Sequence, residues 1–131
     1  MPMPESKHIL PSQEYCLKFG SFQFFDSYVT STIDEGIDMD TEKLLEFYSL
    51  CFEVFEDKPF SIVELKVSSY SLDPSFYIEY RDLLSNIKAN AVVLDPSSSA
   101  TFSEYEALYI KHCDFRVFDS IGDAVSWVHS V

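Results

Sequence analysis

The sequence predicts a mixed α/β fold, in which helices pack on a mixed β-sheet. The chain opens with three short segments of alternating apolar residues, a pattern typical of a β-meander. From about residue 41, segments with helical spacing alternate with short apolar strands, which favours parallel pairing through helical crossovers. A chain of 131 residues without an internal repeat predicts one domain. We expect residues 1–13, which contain three prolines, to form a flexible tail and residues 14–131 to form the domain.

The meander is predicted from the segments "EYCLKF", "FQFF" and "YVTSTI". In the first of them Tyr15, Leu17 and Phe19 alternate with other residues, as in a strand with one buried face. Gly20–Ser21 is predicted to form the first turn and Asp26–Ser27 the second.

The first helix is predicted over "TEKLLEFYSLCFEVFE", with Asp40 as its N-terminal cap and Lys58–Pro59 at its end. Its apolar face is predicted to contain Leu44, Tyr48, Cys51, Phe52 and Phe55. The next segment, "FSIVELKV", predicts a strand at or near the centre of the sheet, because apolar residues occupy both of its faces. One face is predicted to carry Ser61, Val63, Leu65 and Val67, and the other to begin with Phe60 and Ile62.

Three further helices are predicted from their starting signals. Asp73 and Pro74 precede "SFYIEYRDLLSNI", and Thr101 with Glu104 forms a capping-box pattern at the start of "FSEYEALYIKHC". Ser120 with Asp123 opens "IGDAVSWVHS". The segments "ANAVVLD" and "FRVF" between these helices are predicted strands.

The charge of the chain narrows the choice of partners. It contains 22 acidic residues against 9 Lys and Arg, so its formal charge is −13, which repels phosphate backbones and anionic membrane surfaces. We therefore expect neither nucleic acid nor membrane as a partner. No apolar stretch reaches the length needed to cross a bilayer, and the N-terminus lacks the apolar run of a signal peptide, so a cytoplasmic protein is expected.

The residues that most often carry chemistry give no catalytic or metal pattern. Cys16, Cys51 and Cys113 are widely spaced within apolar segments, which predicts reduced, buried thiols. His112 is next to Cys113, but adjacent residues on a helix point in different directions. The three glycines are isolated, so no phosphate-binding loop is formed. We expect no enzyme, no cofactor and no metal.

An acidic segment, "DEGIDMD", precedes the first helix and contains Asp34, Glu35, Asp38 and Asp40. Asp38, Asp40 and Glu42 in "DMDTE" alternate as in part of a calcium loop, but the required glycine and distant glutamate are missing. Acids at a helix start are also favoured by the helix dipole, so a solvated helix entrance explains them without a ligand. A partner protein with a basic patch is the functional alternative.

The chain resembles the SpoIIAA-like proteins, the small STAS/SEC14-type domains related to anti-sigma-factor antagonists. The resemblance covers most of residues 14–131 and rests on the order of elements and on "YVTSTIDEGIDMD", "SSYSLDP" and "FRVFDSIGDAVSWV". It implies a mixed sheet backed by helices that works through protein contacts in bacterial regulation, or through an apolar ligand pocket. Phosphorylated members carry a serine in a turn at a helix start, and the comparable turn here holds Ser68, Ser69 and Ser71.

Two interpretations of this serine turn remain open. Serine hydroxyls stabilise turns by bonding to nearby backbone groups, and Asp73 already provides a cap, which favours a structural turn. A phosphate at a helix N-terminus would meet free backbone amides, which favours a switch or a partner contact.

The leading hypothesis is a non-enzymatic regulatory domain that binds another protein through the serine turn and the acidic segment. The alternative is a carrier or sensor that binds a small apolar, lipid-like ligand between helices and sheet, since aromatic residues make up 16% of the chain. Exposed aromatic residues on a small domain also make a homodimer plausible.

Overall fold

The computed structural model describes residues 13–68, 70–94 and 108–131. The strands are β1 (Gln13–Leu17), β2 (Gly20–Phe24), β3 (Tyr28–Ile33), β4 (Asp38–Met39), β5 (Phe60–Lys66), β6 (Ser71–Leu72), β7 (Ile87–Leu94) and β8 (Asp114–Phe118). The helices are α1 (Thr41–Phe55), α2 (Ser75–Glu79) and α3 (Ile121–Ser130).

Six strands form one mixed sheet in the order β1-β2-β3-β5-β7-β8. The first three pair antiparallel, whereas β3, β5, β7 and β8 pair parallel. The predicted mixed α/β fold and its opening meander are therefore confirmed. The predicted central strand is also confirmed, since β5 lies between β3 and β7. The remaining strands, β4 and β6, form a separate two-stranded parallel ladder.

The first turn of the meander lies two positions earlier than predicted. Lys18 and Phe19 form the turn, and Gly20 already belongs to β2, where it pairs with Leu17. Glycine is needed there because a Cβ atom at this position would collide with the backbone oxygen of Thr32. The requirement is thus close approach of two strands rather than turn geometry.

The two ends of α1 have different local causes. Its start is as predicted, since the Asp40 side chain accepts a hydrogen bond of 2.9 Å from the Lys43 backbone N–H. Its end comes before Lys58–Pro59, because Glu56 and Asp57 adopt left-handed backbone angles, with φ of 53° and 65°. The buried face contains Leu44, Phe47, Tyr48, Cys51 and Phe55. Phe52, which was predicted for this face, is only partly buried, and Phe47 was missed.

Two unequal cores lie on opposite faces of the sheet. The larger core is rich in aromatic residues and joins the inner face of α1 to Phe60 and Ile62 of β5. The smaller core packs α3 against Val63 of β5 and the alanines of β7. The predicted division of β5 into two apolar faces is confirmed.

The helix predicted after Asp73 is much shorter than expected. It ends at Glu79, and residues 80–86 form successive turns, because Tyr80 leaves the helical region with φ of −107°. These turns bury Leu84 and bring the Asn86 carbonyl to the Phe60 N–H at 3.2 Å. The chain thereby enters β7 directly beside β5, which a longer straight helix would prevent.

The last two predicted helices have different outcomes. Thr101 and Glu104 lie outside the described residues, and residues 108–113 form turns rather than the predicted helix. These turns bury Ile110 in the larger core before the chain enters β8. The closing helix α3 is confirmed, with the Ser120 hydroxyl accepting a bond of 3.3 Å from the Asp123 N–H.

The prediction that all three thiols are buried is wrong for Cys16. This residue lies on the solvent side of β1 and is exposed, whereas Cys51 is buried and Cys113 is half-buried. The alternation of the strand explains the difference, because Tyr15 and Leu17 on either side of Cys16 face the larger core. All three cysteines are free.

Candidate functional site at the carboxyl end of the parallel strands

The acidic segment and the serine turn leave the sheet side by side. Asp34 follows β3, and Ser68 lies two residues after β5. These two strands are parallel neighbours, with Ser31 opposite Glu64, so their carboxyl ends meet at one edge of the sheet. In open sheets with parallel strands, ligands bind outside the carboxyl ends of the strands.

The ladder of β4 and β6 joins the two segments. Asp38 pairs with Ser71 and Met39 with Leu72. The Ser71 N–H donates to the Ile37 carbonyl at 3.0 Å, and the Ser71 hydroxyl donates to the Asp38 carboxylate at 2.8 Å. The ladder thus brings together two predicted site segments that are more than thirty residues apart. We call the resulting surface the acidic rim and define it as Asp34, Glu35, Asp38, Asp40 and Ser71.

The carboxylates of the acidic rim differ in what they contact. Asp34, Glu35 and Asp38 are exposed, and the Asp34 N–H is bonded to the Phe19 carbonyl at 2.9 Å. Asp40 caps α1 and forms an ion pair with the Lys43 ammonium at 3.3 Å. The hydrogen bond from the Lys43 backbone, with smaller contributions from its side chain, holds the pKa of Asp40 below its ordinary value. Asp40 is therefore engaged in capping α1, whereas Asp34, Glu35 and Asp38 are exposed, and Asp38 also accepts the Ser71 hydroxyl.

The described serines of the predicted turn have structural partners. The Ser68 hydroxyl donates to the Ile33 carbonyl and so ties the chain after β5 to the end of β3. Ser71 is bonded within the ladder. Asp73 accepts a bond of 3.0 Å from the Ser75 N–H, which lowers the pKa of its carboxyl group. Ser69 lies outside the described residues. These bonds give Ser68, Ser71 and Asp73 a role in shaping the rim.

A shallow open groove of about 310 Å³ runs along the rim. It is lined by Glu35, Gly36, Ile37, Tyr70 and Ser71. Gly36 has φ of 79°, a backbone conformation that side chains disfavour, so the isolated glycine in "DEGID" allows the sharp bend of the loop. Ile37 and Tyr70 were not predicted as site residues, and they give the groove an apolar floor.

Tyr70 is held in the groove by two charged residues of β5. Its hydroxyl donates to the Glu64 carboxylate, and the Lys66 ammonium lies 3.8 Å from the centre of its ring. Lys66 is only 4% exposed. The sequence contained a signal for this arrangement, because Glu64 and Lys66 share the inward face of a central strand with Phe60 and Ile62. Charged residues on such a face need a specific partner.

Tyr48 and Cys51 are buried in the larger core, and Cys113 packs against it. Burial, with smaller effects from Cys51, Glu64 and Cys113, raises the pKa of Tyr48 well above its ordinary value. Burial also raises the pKa of Cys113 to about 12, so its thiol stays protonated at neutral pH. His112 stacks on Tyr77 at 5.9 Å, and burial lowers its pKa. A protonated thiol beside a neutral imidazole lacks the thiolate that a nucleophile requires.

A second open cavity, of about 190 Å³, lies at the opposite end of the sheet. It is lined by Gln13, Phe25, Asp26, Val54, Phe55, Glu56 and Lys58. None of the predicted site residues lines this cavity.

The fold and the acidic rim together define a mixed α/β domain with an acidic surface at the carboxyl ends of β3 and β5. The described part of the chain contains no group of three or more His, Cys, Asp or Glu residues placed to hold a metal ion. None of the helices in residues 13–68, 70–94 and 108–131 is long and apolar enough to cross a membrane. Comparisons with family models, with curated proteins and with solved structures gave no match to the chain.

Proposed function

We propose that this domain is a non-enzymatic, cytoplasmic regulator that binds another protein through the acidic rim. The observation that carries the proposal is the hydrogen-bonded ladder, which joins the acidic segment to the serine turn through the pair Asp38 and Ser71. The resemblance to anti-sigma-factor antagonists of bacteria supports the same kind of function, because those domains act through protein contacts.

The chemistry of the rim favours a partner with basic residues around an apolar side chain. Three exposed carboxylates and the formal charge of −13 attract Lys and Arg and increase the rate of encounter. The groove between them offers Ile37 and Tyr70 as apolar contacts, and Val67, next to Ser68, is 50% exposed. Apolar contacts surrounded by polar groups are the usual anatomy of a protein interface.

The rim is pre-organised for binding. The Ser71–Asp38 bond fixes the ladder, the Ser68–Ile33 bond fixes the chain after β5, and Glu64 fixes Tyr70. A surface already held in its bound shape loses little conformational entropy on association. We therefore expect the complex to form without rearrangement of the domain.

The test compares two variants with the same change in charge. Asp34→Asn with Glu35→Gln removes two of the four rim carboxylates and retains both the Asp40 cap and the Asp38–Ser71 bond. Glu46→Gln with Glu53→Gln, on the exposed side of α1, neutralises two carboxylates elsewhere. Each protein is immobilised and used to capture partners from a lysate of its host, and the captured protein is then titrated against each variant.

We expect the rim variant to bind about tenfold more weakly and the α1 variant to bind like the wild type. Equal losses in both variants would indicate attraction by net charge alone. Binding that is unchanged in the rim variant would exclude the rim as the contact surface.

The carrier hypothesis has less support. Both cavities described above are open grooves with charged residues in their walls, and stacked rings such as Phe55 with Phe60, 4.5 Å apart, fill the larger core. Binding of a lipid-like molecule thus stays a prediction, and the protein contact is the function that the geometry favours.

A further inference from the structure

Strand β1 forms one end of the six-stranded sheet, and among the described residues no strand pairs with its outer edge. Its pairing with β2 runs without interruption from Gln13 opposite Phe24 to Leu17 opposite Gly20, so no bulge twists the edge away. The strand contains no proline, and Gln13, Glu14 and Cys16 are exposed. Natural sheets usually protect such an edge with a bulge, a proline or an inward-facing charge, because an open edge pairs with other strands.

The alternation of hydrogen-bonded and non-bonded pairs between β1 and β2 determines which backbone N–H and C=O groups of β1 point away from the sheet. A two-residue turn at Lys18 and Phe19 is closed by the pair Leu17 and Gly20, and such a closing pair exchanges backbone hydrogen bonds. Bonded pairs alternate along an antiparallel ladder. Glu14 and Cys16 therefore direct their N–H and C=O groups outward, away from β2.

We propose that β1 pairs antiparallel with β1 of a second copy of this chain, about a two-fold axis at Cys16. In this register the two Cys16 residues lie opposite each other and exchange backbone hydrogen bonds. Tyr15 lies opposite Leu17 of the second copy, and Glu14 lies opposite Lys18. The two sheets then continue into one sheet of twelve strands.

Charge and apolar pattern favour a copy of the same chain over another partner. Two molecules of charge −13 repel each other, yet each edge carries Glu14 and Lys18 at equal distances from Cys16. Antiparallel pairing about Cys16 turns these residues into two ion pairs per dimer. Tyr15 and Leu17 are half-buried on the face of the larger core, so their pairing extends that core across the axis. A register centred on Tyr15 would instead place Glu14 opposite Cys16.

The interface is small, because each copy contributes only the five-residue strand β1 and the adjoining turn residue Lys18. Interfaces at the lower end of the size range are transient. We therefore expect a dimer that dissociates on dilution, with its midpoint between about 1 μM and 1 mM.

The experiment is sedimentation velocity of the full chain under reducing conditions, over that range of concentration. Wild type is expected to shift from monomer to dimer as the concentration rises. Glu14→Lys and Lys18→Glu each place like charges opposite each other at two sites. For each variant alone, the dissociation constant of the dimer is expected to rise by at least about tenfold. An equimolar mixture of the two variants is expected to dimerise like the wild type, since opposite charges then meet again.

Two further variants separate pairing from folding. Glu14→Pro removes an outward N–H without removing a bond to β2, and it is expected to abolish the dimer while the circular dichroism spectrum stays unchanged. A short reagent that links two thiols is expected to couple wild-type copies and not Cys16→Ser. A monomer at every concentration would overturn the proposal. So would a dimer that resists Lys18→Glu, or a mixture of the two charge variants that stays monomeric.

Discussion

Replacing Tyr70 with phenylalanine removes a single hydroxyl group from the floor of the rim groove. The ring remains, and with it the contact to the Lys66 ammonium at 3.8 Å. What is lost is the hydrogen bond from the hydroxyl to the Glu64 carboxylate. The substitution thus measures how strongly this bond anchors the groove.

The expected cost follows from the kind of bond. Hydrogen bonds to a charged group contribute about 1.5 to 3 kcal/mol to stability, and the lower value applies here because Glu64 is only half-buried and regains water. We expect the free energy of unfolding to fall by about 1.5 kcal/mol. Tyr70→Leu also removes the ring beside Lys66, which should cost about 1 kcal/mol more.

Urea denaturation followed by circular dichroism measures both values, and the midpoint of Tyr70→Phe should fall by about 1 M. Tyr80→Phe is the matched control, because the Tyr80 hydroxyl has no hydrogen bond to any described residue. A loss below about 0.5 kcal/mol for Tyr70→Phe, or an equal loss in the control, would refute the view that Glu64 anchors the groove.

Two further substitutions probe polar groups in the interior. Asn90 is 2% exposed, and its Oδ1 has no hydrogen-bond partner among the described residues. Asn90→Val should therefore raise the free energy of unfolding by about 1 kcal/mol, measured by urea denaturation. A loss of stability would instead indicate that the Asn90 side chain has a hydrogen-bond partner. Burial lowers the pKa of His112 below its ordinary value of 6.5, so the unfolded chain takes up a proton more readily than the folded one. Stability should therefore be full above about pH 6.5 and decline as the pH falls below that value. His112→Phe should flatten that slope, and an unchanged slope would assign the decline to other groups.

Local signals predicted the elements better than they predicted the contacts between them. Asp40 and Ser120 act as caps because capping depends only on residues within one turn. Gly20 was assigned to a turn because glycine is common there, but its role depends on β3, a strand that is distant in sequence. The helix after Asp73 was predicted too long because the position of β7, and not local propensity, ends it at Glu79.

The candidate site was predictable in its parts and not as a whole. The acidic segment and the serine turn were identified from the sequence, but β4 and β6 are only two residues long and carry no strand pattern. Their pairing depends on β3 and β5 being neighbours. Tyr70 was missed for a similar reason, since its role depends on Glu64 and Lys66 facing inward from β5.

The smaller core has a consequence for which substitutions the fold tolerates. Ala89, Ala91 and Ala124 are fully buried where α3 meets the sheet, so the helix rests almost directly on the strands. In the aromatic core on the other face, neighbouring rings can repack when one of them is replaced by a side chain of different size. The three alanines cannot be replaced in this way, because any larger side chain would push α3 away from the sheet. Sequence drift in this protein should therefore be far more restricted at these three small residues than among its many aromatic ones.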